Sequence, residues 1–154
     1  VEIRTLGELI GWTRQLHKHL AECMKHCTGH NEQEQAKALL GYLSKHESQM
    51  ERIIEEFEDT AAPRILRTYI YDYLVHKPIE THRTCQGHYA NLTFEEICKE
   101  VLDYHIQVID LYRSLEARVD LPAAQELLSA LLALEEHEAM RLARQTGWMR
   151  DLYL

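Results

Sequence analysis

The sequence lacks any uncharged apolar run approaching the roughly 18 residues that a membrane-spanning helix needs. Its amino terminus, Val1-Glu2-Ile3-Arg4, has no signal-peptide core. A cytoplasmic location is therefore expected, and the Val1 start is compatible with removal of an initiator or a short leader. With only four Cys (Cys23, Cys27, Cys85 and Cys98) there is no disulfide framework of the small secreted kind, so reduced thiols are expected. Three Pro and six Gly exclude collagen-like and low-complexity chains. Basic residues are in deficit, 17 Lys and Arg against 25 Asp and Glu, and the net charge of −8 disfavours nucleic acid and anionic membrane surfaces. There is no phosphate loop, no Gly-x-Ser-x-Gly elbow, no dinucleotide fingerprint and no His-Glu-x-x-His. No segment alternates convincingly as a strand does.

What is present is a chain of 154 residues, 45% hydrophobic, which is the size of one domain spanning 1–154. Apolar residues recur every three or four positions from Ile3 to about Thr28, the pattern of an amphipathic helix, and Gly29 stops it. Asn31 is placed to cap a second helix running to about Asp59. Residues 60–92 form a long crossover with a short amphipathic segment from Pro63 to Leu74. Thr93 and Glu96 read as a capping box opening a third helix that ends near Val119. Asp120 and Pro122 start a fourth, expected to end near Gly147 and leave Trp148–Leu154 as an apolar tail. The expectation is all-α: a four-helix bundle of two antiparallel hairpins joined by one long crossover.

Ten His are the compositional oddity. His17, His46 and His105 fall on the apolar stripes of the first, second and third helices, while the stripe of the fourth continues into Glu138 with Glu135 and His137 at its margins. Counted from the turns, all lie near mid-bundle. The pair His46-Glu47 also has an echo in His137-Glu138. Burying so many imidazoles and carboxylates is costly unless they pair or bind a metal. The candidate ligands are His17, His46, Glu47, His105, Glu135, His137 and Glu138. Two weaker clusters are Cys23/His26/Cys27/His30, read mainly as core thiols beside a polar turn, and His82/Cys85/His88 in the crossover.

A one-domain helical bundle with a long middle connection and inward His and Glu in both hairpins resembles the ferritin-like superfamily, which includes rubrerythrins and bacterioferritins. The resemblance implies a metal centre, iron first with manganese or zinc next, and redox or oxygen chemistry. No Glu here has a His three residues on, so the family's Glu-x-x-His pairs are missing. A His-rich set favours a single Fe, Zn, Mn or Ni ion over a carboxylate-bridged pair. Hemerythrin-like spacings occur around Gly29, at His26/His30 and His30/Glu34, where they straddle or touch the turn. The competing expectation is a metal-free interaction or dimerisation bundle with a buried His/Glu hydrogen-bond network. Its signature would be a core that loses stability as buried neutral His charge at falling pH. The Tyr69–Tyr73 segment and the Trp148–Leu154 tail are expected either to cover the core or to lie at the interface of a homodimer, with the homodimer preferred.

Overall fold

A computed structural model describes residues 3–70 and 87–153, with side chains as far as Gly147. Among these residues the chain is all-helical, with one isolated bridge between Thr5 and Tyr69. The four long helices are α1 (Leu6–Thr28), α2 (Glu34–Thr60), α4 (Phe94–Arg118) and α5 (Pro122–Tyr153), with a single-turn α3 at Pro63–Leu66. No described helix is long and apolar enough to cross a membrane.

Local chemistry accounts for most boundaries. Thr5 caps α1 by accepting from the Glu8 amide, and Thr93 and Glu96 form the reciprocal capping box of α4. Gly29 ends α1, but with φ −75° rather than in the left-handed region. Asn31 does not cap α2, whose N-cap is Gln33; it makes a turn instead, its Oδ1 accepting from the Gln33 amide. Its Nδ2 donates to the carbonyls of Tyr89 and Leu92, both at 3.0 Å.

That asparagine ties the two halves of the chain together at one end. It holds the start of α4 at the end of the molecule where α1 turns into α2. At the opposite end α2 finishes beside the beginning of α1: Leu6 N donates to Thr68 O, and Ile70 N to Arg4 O. Gly7 eases this approach, because a Cβ would lie 3.0 Å from the Leu66 carbonyl oxygen and the neighbour would have to give by a few tenths of an ångström. Ile70 and Gly87, the last and first described residues on either side of positions 71–86, therefore lie towards opposite ends of the helices. Between α2 and α4 the amphipathic segment expected to reach Leu74 is helical only to Leu66, and positions 71–86, with His82 and Cys85, lie outside the described residues. Gly87, at φ 77°, takes the left-handed conformation that glycine adopts without a Cβ clash and leads into a 3-10 turn at His88–Asn91.

Three expectations are corrected. Gly147 does not end α5, which runs on to Tyr153, since an interior glycine costs a helix only about 1 kcal/mol. Asp120 lies one residue too early to cap α5, whose first-turn bond runs from Gln125 N to the Leu121 carbonyl. Cys23 is disulfide-bonded, against the expectation of reduced thiols.

The core is one apolar cluster, with Leu9, Leu20, Leu40, Leu43 and Ile54 from the first half facing Ile97, Val108, Leu128, Leu131 and Leu142 from the second. Replacing Asn31 by Ala removes two buried donors and the turn acceptor, so a loss of about 2 kcal/mol in urea unfolding is expected. An unchanged unfolding midpoint would show that the ends of the helices are not tied there.

Candidate functional site

Four ionisable side chains, one from each long helix, meet in this core. His17 on α1, Glu47 on α2, His105 on α4 and Glu135 on α5 are all 0–1% exposed. His17 Nδ1 lies 2.5 Å from Glu47 Oε2, and its Nε2 is 2.7 Å from Glu135 Oε1. His105 Nδ1 lies 3.2 Å from Glu135 Oε2, and its Nε2 is 2.6 Å from Glu47 Oε1. Four ring nitrogens and four carboxylate oxygens thus close a ring in which every polar atom has one partner.

The ring has an atom-by-atom two-fold pattern. Each imidazole turns Nδ1 to the glutamate of its own hairpin and Nε2 to the glutamate of the other. The sequence carries the same relation: each His precedes its own Glu by 30 residues, and 88 positions separate His17 from His105 and Glu47 from Glu135. The same offset relates Thr5 to Thr93, Glu8 to Glu96, Ala36 to Ala124 and Leu39-Leu40-x-x-Leu43 to Leu127-Leu128-x-x-Leu131. It also relates the first residues of α1 and α4, and of α2 and α5. The chain is therefore an internal repeat of one helical hairpin, and the ring sits where its two halves meet. The His46/His137 echo read from the sequence is out of register by three residues, close to one helical turn.

Electrostatics follow from the ring. Burial alone would lower the His105 imidazole, but Glu47 and Glu135 outweigh it and raise the group to about 9; His17 is raised in the same way. Burial would raise Glu135, yet the two imidazoles hold it at about 2, and they hold Glu47 well below the carboxylate range. In the metal-free protein the ring is two imidazoliums and two carboxylates, neutral overall. The expectation of neutral buried histidines is thereby reversed. Two buried phenols, Tyr89 and Tyr112, are pushed up chiefly by burial, with Glu47 acting on the first and Glu135 on the second, so both stay protonated.

The remaining candidates lie outside the ring. His46 Nδ1 is 3.3 Å from Glu138 Oε2, forming a second buried pair beside Tyr42, whose ring centroid is 4.4 Å from that of His46. His137 is exposed on α5. Glu135, read as marginal, is completely buried, and Glu138, read as the centre of the stripe, is slightly less so. His26 and His30 are exposed while Cys27 is buried, so that quartet does not converge. His88 bonds Glu100 through Nε2 at 2.6 and 2.8 Å. One donor atom each from His17, Glu47 and His105 lies within 4.8 Å of the other two, the dimensions of one coordination sphere.

Comparison of the chain with family models, with curated proteins and with solved structures gives no match.

Two outcomes are expected of the metal-free protein. The contribution of His105 to stability is complete below its unfolded value of 6.5 and is lost as pH rises through about 9, and that of His17, also raised, is lost in the same direction. The contribution of Glu135 is complete above 4.5 and is lost as pH falls through about 2, and that of Glu47, also lowered, is lost in the same direction. The Tm should therefore be highest between these limits and fall towards pH 9; a Tm unchanged from pH 6.5 to pH 9 would contradict the charged ring. His105→Leu, which strands two buried carboxylates, should cost about 3–5 kcal/mol in chemical denaturation.

Proposed function

We propose that this protein is a ferritin-like four-helix bundle, two hairpins joined by the long crossover, that holds one divalent metal ion at the ring and uses it in redox or oxygen chemistry. The observation carrying this reading is the convergence of His17, Glu47 and His105, fully buried, within one coordination sphere. Two imidazoles and a carboxylate that leave other positions open are the donor set of non-haem Fe(II) oxygenases, which puts iron first, with manganese or zinc as alternatives.

The donor set fits such an ion. Glu47 faces His17 Nδ1 and His105 Nε2, so those two nitrogens and the carboxylate would hold the metal. Glu135 faces the other nitrogen of each ring and would accept their N–H groups, the carboxylate–histidine–metal arrangement that orients ligands. Charge favours a single ion: one divalent cation balances two carboxylates beside two neutral imidazoles, whereas a second ion would leave net positive charge in a site sealed from water. When bound, the ion would supply a Lewis acid and, as iron, an electron. The chain's own contributions are the apolar enclosure, the orientation of both rings by Glu135 and the two protonated phenols nearby. A cytoplasmic homodimer is compatible with this reading but is not needed to complete the site.

A second reading has one observation in its favour: the ring is satisfied and neutral without a metal, as the core of a metal-free interaction or dimerisation bundle would be. Metal content separates the two. Protein purified without an affinity tag, stripped and reloaded with Fe²⁺, should hold one ion per chain by elemental analysis. Glu47→Ala should hold none, and Glu135→Gln one ion bound about 10–100-fold more weakly. Wild-type protein that takes up no stoichiometric Fe²⁺, Mn²⁺ or Zn²⁺ would leave the metal-free network as the function of the ring.

A further inference from the structure

The ring is two-fold symmetric, but what surrounds it is not. Applying the offset of 88 to the second buried pair shows the difference. His46 corresponds to Leu134, Glu138 to Met50, Tyr42 to Ala130 and Arg141 to Ile53. On one side of the ring, then, the seam between α2 and α5 carries four polar side chains, and on the equivalent side it carries four apolar ones. Met50 is 1% exposed, so that side is closed.

The polar side leads outward. Glu138 lies one helical turn beyond Glu135 on α5, and His46 is the residue next to Glu47 on α2. Their side chains are nearly buried and face one another at 3.3 Å. The second Glu138 oxygen is 4.0 Å from the Arg141 guanidinium, whose side chain is 52% exposed. Along α5, Glu135 of the ring, Glu138 with its partner His46, and the exposed Arg141 thus follow one another within two turns. Polar pairs also lie on other seams, Arg14 against Glu51 and Glu58 between α1 and α2 and Arg113 against Glu136 between α4 and α5, where each carboxylate meets a guanidinium rather than an imidazole.

We propose that the His46–Glu138 pair is the access route for the metal ion, taking a hydrated divalent cation from solvent through the α2–α5 seam and passing it to the ring. The proposal rests on the metal-centre reading. It assigns His46 and Glu138 a role in transit rather than in the final coordination sphere. The equivalent side of the same seam, made of Leu134, Met50, Ala130 and Ile53, offers an ion no oxygen or nitrogen with which to replace its water. A carboxylate at the mouth also raises the local cation concentration, and steering of this kind changes association rates by 10-fold or more.

The test uses the symmetry of the repeat. H46L and E138M each install the residue that the other half carries at the equivalent position, which keeps the packing apolar and helical. Co²⁺ is mixed with metal-free protein, and its visible absorption is followed by stopped flow. Both variants should load about tenfold more slowly than the wild type while reaching the same stoichiometry and the same final spectrum, and E138D should restore most of the rate. Uptake by H46L and E138M within twofold of the wild type would overturn the access route while leaving the metal centre standing. A final spectrum altered in E138M would also overturn it, by making Glu138 a ligand. Failure of the wild type itself to take up Co²⁺ would instead refute the metal-centre reading on which the route depends.

Discussion

The closed ring of two imidazoles and two carboxylates is the constraint to which the rest of the structure answers. Four ionisable groups at 0–1% exposure are tolerable only if each charge is met by an opposite one and each lone pair or N–H is used. Both conditions hold at once because each long helix supplies one member. If one helix slid by a residue along its neighbour, two bonds of the ring would break, leaving an unpaired charge in an apolar core. The ring therefore specifies the register of α1, α2, α4 and α5 more sharply than the surrounding Leu, Ile and Val, which would tolerate small displacements.

Such specification adds little stability by itself, since buried ion pairs often do no better than well-packed apolar groups of similar volume. Their retention here points to a use. In the repeat, a His and a Glu 30 residues apart in each hairpin give half a site, and only the joining of two halves completes it. The capping threonines and the leucine triplets repeat with them, which places the two hairpins in equivalent roles around the ring. Departures from that equivalence, at His46 and Glu138 against Leu134 and Met50, are where the two sides of the ring differ in chemistry.

Much of the fold was legible. Helical periodicity located the four long helices, and the Thr93-x-x-Glu96 signature read the start of α4 correctly because both halves of a capping box are local in sequence. His17 and His105 were legible as buried because they continue apolar stripes. Other features were not legible. The running-on of α5 past Gly147 depends on a small propensity cost against continued helix formers. The tie from Asn31 to Tyr89 and Leu92 is a contact across 58 and 61 residues that no local pattern announces. Ranking Glu138 above Glu135 failed because an apolar stripe defines a face only to within about one residue, whereas the ring selects one carboxylate. The signal that would have decided it was the offset of 88, carried by the leucine triplets, rather than the shorter His-Glu echo.

Anomalous diffraction at the iron edge, from crystals of the protein loaded with Fe²⁺, tests the central claim most directly. The account predicts one peak per chain, about 2.1 Å from His17 Nδ1 and His105 Nε2 and in contact with the Glu47 carboxylate, with Glu135 bonded only to the far nitrogens of the two rings. Crystals of loaded protein that show the ring closed as in the metal-free state, with no peak inside it, would contradict the account.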